Sequence, residues 1–186
     1  MLKKIQAFDE KLINGIGKLH TPILNKVMLF MTFLGDSGKV WFFAFALFWI
    51  FNRKPVMNIA IMLSMGLGFL MAEIIVKRIV CRVRPCHKID EELLLLKKMP
   101  HFYSFPSSHS CTSFAVAAAS FLLCSSWVTA VILVVAIGIS FSRFYLQAHY
   151  LTDVLCGIVL GILCSLVMVR LVYFVAGMIN PAFIKY

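Results

Sequence analysis

The segment 154–175, VLCGIVLGILCSLVMVRLVYFV, decides the fold because its 22 residues carry a single charge, Arg170. An α-helix rises about 1.5 Å per residue, so about 20 apolar residues cross the hydrocarbon core of a bilayer. The segment therefore predicts a transmembrane helix. Gly157 and Gly161 lie four residues apart in it, a spacing that lets helices pack closely in lipid. We interpret this pair as a contact within a helix bundle rather than a dimer seam, and the oligomeric state stays open.

The rest of the chain has the same character. Of 186 residues, 61% are apolar and 14% charged, and the mean hydropathy of +0.92 excludes a soluble globule. We therefore predict an all-α protein, a polytopic bundle of transmembrane helices that forms a single membrane-embedded domain over 1–186 with five to six spans. The further apolar runs are 39–52, 55–76, 111–127 and 128–141, with 22–34 as a short sixth span or a re-entrant segment.

The first 20 residues alternate lysines with large apolar side chains. This pattern predicts an amphipathic helix rather than a cleaved signal peptide. Eighteen Lys and Arg against eight Asp and Glu give a net charge of +10, concentrated between the apolar runs. Anionic lipid headgroups or a phosphorylated substrate at the membrane surface fit this distribution. We exclude nucleic acid, because there is no basic helix and no RNA-binding aromatic pattern.

Six cysteines raise the question of disulfides or metal. Four of them lie in or beside apolar runs, where thiols act as small hydrophobic residues. Cys81 and Cys86, with His87, suggest a metal site only weakly, because no second ligand pair follows at zinc-site spacing. Whether Cys81 and Cys86 pair stays open.

Two polar stretches, 77–110 and 142–153, carry the chemistry. Because 111–127 and 128–141 form a predicted helical hairpin, both stretches emerge at the same membrane face. We predict that the residues converging there form the active site at one membrane face, a phosphate-binding site with a nucleophile. They are Lys77, Arg84, Ser107, His109, Arg143, His149 and Asp153.

Lys77 and Arg84 are seven residues apart, which places them on one stripe of a continuing helix together with Glu73. Pro85 disfavours the helical conformation of Arg84, so the helix is expected to end there. Both cations could bind the same anion. The alternative is that they are interfacial residues that extend their charges to water, the role we assign to Arg78 and Arg82.

Ser107, Ser108 and His109 open a predicted helix, whose first N–H groups favour an anion. Ser107 or Ser108 could instead act only as an N-cap, and His109 could be a satisfied interfacial histidine. His149 and Asp153 are four apart, so the carboxylate could accept a hydrogen bond from the imidazole and orient a nucleophile. Bringing Arg143 to this site requires a helix break near 146–148.

Together these residues resemble the type-2 phosphatidic acid phosphatases, whose active site is shared with vanadium haloperoxidases. All three sequence blocks of that family have counterparts at matching order and spacing, within about residues 77–161. They are Lys77-x6-Arg84-Pro85, Pro106-Ser107-Ser108-His109 and Ser142-Arg143-x5-His149-x3-Asp153. One departure is Ser108, where the family usually has glycine; a side chain there could crowd the phosphate or alter the loop.

The resemblance implies a metal-independent lipid phosphatase that needs no cofactor. His149, helped by Asp153, would attack phosphorus and form a phosphohistidine, while His109 would protonate the leaving oxygen and later activate water. The phosphoryl oxygens would be held by Lys77, Arg84, Ser107, Ser108 and Arg143.

Several points about substrate and location rest on the same resemblance. Undecaprenyl diphosphate is the first choice, with phosphatidylglycerophosphate or phosphatidate as alternatives; a lipid phosphotransferase and a non-enzymatic headgroup-binding protein are further hypotheses. The family implies a bacterial cytoplasmic membrane and an outward-facing site. The seven cations within 77–98 oppose that orientation, whereas the lysine-rich N-terminus with Arg53 and Lys54 offers a competing cytoplasmic anchor. Labelling of Cys86 would report the side.

Overall fold

The structure is a computed structural model that describes residues 2–51, 54–89, 94–96, 100 and 103–180. Arg53 and Lys98 lie outside these residues. The described part of the chain forms eight α-helices, and a π-helical segment, Leu70–Val76, joins the fourth to the fifth. The helices are α1 (Leu2–Ile16), α2 (Pro22–Gly35), α3 (Lys39–Phe51), α4 (Pro55–Phe69), α5 (Lys77–Val80), α6 (Ser108–Leu123), α7 (Ser126–Tyr145) and α8 (Leu151–Ile179).

Within the described residues, four helical stretches are long and apolar enough to cross a membrane. They are Pro22–Phe51, Pro55–Val80, Ser126–Tyr145 and Leu151–Ile179. The shorter apolar helix α6 crosses the bundle between them, which gives five crossings. Large apolar side chains on these helices point outward, as expected for helices in contact with lipid, among them Phe121, Val134, Val159 and Phe174.

The predicted short segment 22–34 belongs to the first crossing and is not a separate span. Asn25 in α2 accepts a hydrogen bond from the Tyr145 hydroxyl at the end of α7, at 2.7 Å. Trp41 in α3 donates to Ser113 in α6, at 3.1 Å. The two helices therefore follow one direction along the bundle. Positive φ angles at Ser37 (56°) and Gly38 (70°) bend the chain between them.

Helix α6 lies at the centre of the bundle, in contact with α4, α7 and α8. The approach of α8 is close because Gly157 and Gly161 face α6: a Cβ atom on Gly161 would lie 2.2 Å from the backbone oxygen of Cys111. The glycine pair thus packs within the bundle, as predicted. This contact fixes the position of α8 along the bundle axis relative to the start of α6.

Helix α1 is amphipathic, as predicted, and lies across the end of the bundle where α7 stops and α8 begins. Ile13 and Ile16 are buried, and the backbone oxygen of Ile13 accepts a hydrogen bond from the side chain of Gln147, at 3.0 Å. The exposed lysines Lys4, Lys11 and Lys18 therefore lie at the same end as the polar loop after α5. They provide no competing anchor at the opposite membrane face, in contrast to the sequence-based expectation.

Gly161→Ala should destabilise the protein, because the new methyl group would meet backbone that cannot move without separating α6 from α8. Overpacking of this kind costs roughly 1–3 kcal/mol. Thermal unfolding in detergent should show a clear loss of stability. Gly66→Ala is the matched control, since a Cβ atom there has no neighbour within 4 Å; equal stability of the two variants would contradict the close contact.

Candidate active site

Two side-chain contacts bring the three sequence blocks together at the end of the bundle that carries α1. The ammonium group of Lys77 donates to the Ser108 hydroxyl, at 2.9 Å, which joins the first block to the second. The guanidinium of Arg84 donates to His149, at 2.8 Å, which joins the first block to the third. All four side chains are buried. The predicted convergence of the two polar stretches is therefore present.

Arg84 reaches this place by a route the sequence did not predict. The helix ends at Val80 rather than near Pro85, because Cys81 adopts a left-handed conformation with φ 51°. The chain then runs extended and pairs with the segment before α6: Ser104 N–H donates to the Arg82 oxygen at 2.6 Å, beside a bridge between Val83 and Tyr103. This pairing, not a continuous helical stripe, positions Arg84 beside Lys77.

The hydrogen bonds of His149 define its protonation state. Nδ1 lies 2.7 Å from the backbone oxygen of Ser104, which can only accept, so Nδ1 carries the hydrogen. Nε2 lies 2.8 Å from a guanidinium nitrogen of Arg84, which can only donate. The lone pair of a neutral imidazole is therefore on Nε2, directed at the cation.

The electrostatic surroundings favour this neutral form. Burial, followed by the positive charge of Arg84, holds the pKa of His149 well below its usual range, and Arg143, Lys77 and His109 act in the same direction. An imidazole with an available lone pair at neutral pH is a competent nucleophile. Arg84 bonds to Nε2 of His149, and the backbone oxygen of Arg143 accepts from the His149 N–H, so both predicted phosphate-binding arginines are neighbours of His149.

Asp153 does not form the predicted hydrogen bond with the imidazole of His149. Its Oδ2 is 3.8 Å from Nδ1 of His149, so the orienting hydrogen bond goes to the Ser104 oxygen, and Asp153 acts on the imidazole as a nearby charge. Asp153 is fully buried, accepts from the Tyr150 N–H at 2.9 Å, and forms an ion pair with Arg82 at 2.6 Å. Arg82 is therefore not an interfacial residue that extends into water, which corrects the sequence-based interpretation.

His109 has a carboxylate partner that the sequence did not identify. Its Nε2 lies 3.1 Å from Oδ1 of Asp36, in the short turn between α2 and α3. An imidazole held by a carboxylate through one nitrogen keeps the other for proton exchange. His109 is thus a partly exposed histidine with the geometry of an acid or base.

Arg143 is buried at the end of α7 and donates to the Thr32 hydroxyl. Its Nε has no hydrogen-bond partner among the described residues. The helix break required to bring it near His149 is present: α7 ends at Tyr145, Gln147 has φ 55°, and the His149 N–H bonds to the Arg143 oxygen at 3.1 Å. The predicted break near 146–148 is confirmed.

Ser107 and Ser108 have different roles in the second block. Ser107 is the N-cap of α6, and its hydroxyl accepts from the Ser110 N–H at 3.4 Å. Ser108 is the first residue of the helix, in a conformation that does not require glycine. Its hydroxyl also contacts Glu73, which forms an ion pair with Lys77. Ser108 thus leaves the loop intact and adds a hydroxyl beside Lys77.

Metal ligands do not cluster in the described part of the chain, where no group of three His, Cys, Asp or Glu side chains could hold an ion. All six cysteines are free thiols, so Cys81 and Cys86 do not pair. Cys81 is exposed and Cys86 is fully buried, which makes Cys81 rather than Cys86 the useful labelling position.

Asp9 and Asp36 were not among the predicted site residues, although their positions in the sequence indicate that each has a partner. Asp9 lies within the apolar stripe of α1, between Ile5 and Ile13, and Asp36 interrupts two apolar helices. An acidic residue in such surroundings is costly unless it has a partner. Ser104 and Thr32 carried no such signal, because their contacts depend on tertiary structure.

Comparison with known proteins decides the family. A family model described as the PAP2 superfamily matches residues 56–176, which contain all three blocks. The chain belongs to the PAP2 superfamily. It is an integral membrane phosphatase, as the resemblance predicted.

Two relatives match most of the chain. An undecaprenyl-diphosphatase of Sulfolobus acidocaldarius is 28% identical over 165 residues, covering 89% of this chain and 79% of that protein. Phosphatidylglycerophosphatase B of Bacillus subtilis is 31% identical over 173 residues, covering 86% of this chain and 80% of that protein.

Two solved structures share the helix arrangement. The crystal structure of a PAP2-type phosphatidylglycerolphosphate phosphatase from Bacillus subtilis superposes with a TM-score of 0.73 at 26% identity, covering 89% of this chain and 84% of that one. Aquifex aeolicus LpxE superposes with a TM-score of 0.74 at 24% identity, covering 86% and 93% of the two chains.

The protonation state of His149 can be measured directly. Because its pKa is lowered, His149 should stay neutral, with the hydrogen on Nδ1, as the pH falls from 8 through 6.5, where an ordinary histidine gains its proton. Nitrogen NMR of protein labelled at histidine would show this, with His149→Gln to assign the signal. Protonation of His149 near pH 6.5 would contradict the buried, cation-lined environment.

Proposed function

We propose that this membrane lipid phosphatase removes the terminal phosphate of undecaprenyl diphosphate through a phosphohistidine formed on His149. The observation that carries the proposal is the lone pair of His149 Nε2, buried among cations and directed at the guanidinium of Arg84. The same arrangement serves phosphatidylglycerophosphate or phosphatidate, the second candidate class. Both classes are supported by relatives, an undecaprenyl-diphosphatase and phosphatidylglycerophosphatase B.

In the first step, Nε2 of His149 forms a bond to the terminal phosphorus while the bond to the bridging oxygen breaks. Arg84, which bonds to Nε2 in the structure, turns its N–H groups to the phosphoryl oxygens as the substrate binds. Positive charge then develops on the imidazole, and Asp153, 3.8 Å from Nδ1, stabilises it. The Ser104 oxygen keeps the ring oriented through Nδ1.

His109 supplies the proton for the leaving lipid oxygen, and Asp36 holds its ring through Nε2. In the second step His109 takes a proton from water as the water oxygen attacks phosphorus. The N–P bond breaks, its electron pair returns to Nε2, and inorganic phosphate leaves. His109 thus gives one proton to the leaving lipid in the first step and regains one from water in the second, so its protonation state is restored, and neither step requires a metal ion.

Cations and hydroxyls bind the phosphoryl oxygens in this mechanism. Lys77, Arg84 and Arg143 carry the charge, and Arg143 retains an Nε hydrogen without a partner among the described residues. Ser108 adds a hydroxyl beside Lys77, in addition to the N–H groups at the start of α6. The hydroxyl of Ser107, which caps α6, supports that helix start and lies beside the same oxygens.

An amphiphilic substrate suits the position of the site. The catalytic groups lie at the end of the bundle, while the surrounding helices expose apolar side chains along their length. A lipid could therefore keep its tail in the bilayer while its phosphate reaches the loops. A headgroup-binding protein would need the cations but not an oriented nucleophile and a carboxylate-held histidine. A phosphotransferase would use the same intermediate but pass the phosphoryl group to an acceptor other than water.

We assign the site to the outer face of a bacterial cytoplasmic membrane, as the family resemblance implies. The number of Lys and Arg at this end opposes the assignment, because such residues favour the cytoplasmic side. Several of these cations are, however, committed to ion pairs: Lys77 with Glu73, Arg82 with Asp9 and Asp153, and Lys88 with Glu10.

Phosphate release from purified protein tests the proposed activity. Wild type should release phosphate from undecaprenyl diphosphate faster than from phosphatidylglycerophosphate or phosphatidate, with equal rates in EDTA. His149→Gln, which keeps a hydrogen-bond donor and the size of the side chain, should lose at least 10³-fold, because the nucleophile is gone. Thermal unfolding would confirm that the variant is folded.

Three results would contradict parts of this proposal. A folded wild type that releases no phosphate from any of the lipids would favour headgroup binding. A phosphorylated acceptor in place of free phosphate would favour the transferase. Activity lost in EDTA and restored by magnesium would contradict the metal-independent mechanism.

Labelling of the exposed Cys81 tests the orientation. A membrane-impermeant maleimide should label the wild type in intact cells, and Cys81→Ser should lose that label. Labelling of Cys81 only after the cells are permeabilised would place the site on the cytoplasmic side.

A further inference from the structure

Helix α1 buries an acidic side chain against the active-site end of the bundle. Asp9 is fully buried, and its carboxylate accepts from the Thr152 N–H at 3.2 Å. It also accepts from the Thr152 hydroxyl. Burial of a carboxylate is unfavourable unless its oxygens are satisfied. The location of Asp9 is therefore determined by its partners, and Thr152 is the residue before the catalytic-site residue Asp153.

Arg82 connects Asp9 to Asp153 through separate nitrogen atoms of one guanidinium. Nη2 lies 2.7 Å from Asp9 Oδ2, and Nη1 lies 2.6 Å from Asp153 Oδ1. The guanidinium also stacks over the ring of Tyr150, 4.0 Å from its centroid. A planar group fixed on two edges and one face has little freedom to move. Arg82 thus holds both carboxylates in defined positions.

The connection ends at His149, because Oδ2 of Asp153 is 3.8 Å from Nδ1. Asp153 has no hydrogen bond to the imidazole, so the effect of its charge depends on its distance from the ring. Arg82 sets that distance, because its guanidinium holds Asp153 Oδ1 at 2.6 Å and pairs the buried carboxylate with a positive charge. The sequence of contacts is Asp9, Arg82, Asp153 and His149.

We propose that Asp9 and Arg82 are positioning residues for the reaction, so that docking of the N-terminal helix sets the turnover rate. The inference rests on the proposed function of His149 and Asp153. Neither residue touches the reacting atoms: Arg82 fixes the carboxylate that stabilises the positive imidazole, and Asp9 fixes Arg82. Helix α1 is accordingly part of the active site and not only a membrane-surface anchor.

Steady-state phosphate release from the full-length protein in detergent tests the inference. Asp9→Asn should lower kcat about tenfold with KM changed less than twofold, because it disturbs stabilisation of the transition state rather than substrate binding. Glu10→Gln is the matched control. Glu10 is the next residue of the same helix and forms a half-exposed ion pair with Lys88 at the surface, so kcat should stay within twofold of wild type.

A double-mutant cycle separates positioning from a general structural role. In the Asp153→Asn background, Asp9→Asn should cause no further loss of kcat, because its effect passes through Asp153. Arg82→Lys provides a second variant, since an ammonium group keeps the charge but cannot reproduce the fork between two carboxylates. It should also lower kcat about tenfold at nearly constant KM.

The outcomes are distinguishable from failure of the proposed function. Absence of phosphate release by wild type would reject the proposed function itself. An active wild type with Asp9→Asn indistinguishable from Glu10→Gln, or with the full loss repeated in the Asp153→Asn background, would reject the positioning role. If Asp9→Asn does not fold, unchanged kcat in Arg82→Lys would reject it equally.

Discussion

The hydrogen bond from Arg84 to Nε2 of His149 is the contact on which the active-site end depends. This hydrogen bond requires a buried cation and a buried neutral imidazole to lie side by side. Two helix ends bring these groups together. Helix α5 stops at Val80, where Cys81 adopts a left-handed conformation, and α7 stops at Tyr145 before Gln147 does the same. The tight contact between α8 and α6 then sets where the third sequence block, which ends at the start of α8, lies along the bundle axis relative to the second block, at the start of α6.

Burial of so much positive charge is tolerated because carboxylates are distributed around it. Glu73 neutralises Lys77, Arg82 lies between Asp9 and Asp153, and Asp36 faces His109. These acidic groups lie outside the centre that Arg84, Arg143 and His149 share. A site of this kind favours a bound anion, because the anion supplies the remaining negative charge without a further desolvation cost for the protein.

Most spans were predictable because lipid imposes a minimum apolar length, which four helical stretches of the described chain meet, and the shorter helix α6 completes the five crossings. The three blocks were predictable from spacing, and the break between Arg143 and His149 from helix geometry. Two local rules gave a wrong result: Pro85 suggested a later helix end, and the i,i+4 spacing suggested a hydrogen bond from His149 to Asp153. The partners of Arg82, Ser104 and Asp36 could not be assigned, because those partners are distant in sequence. The catalytic roles of His149, Asp153 and His109 stay predictions.

Trapping of the phosphohistidine tests the central claim most directly. The His109→Ala variant should attack a diphosphate, whose lipid monophosphate leaves readily without a proton donor, but should hydrolyse the intermediate slowly. Rapid mixing with undecaprenyl diphosphate, alkaline quenching and mass spectrometry should then find one phosphoryl group on His149. Continued turnover with no phosphorylated histidine, or the phosphoryl group on another residue, would contradict the account.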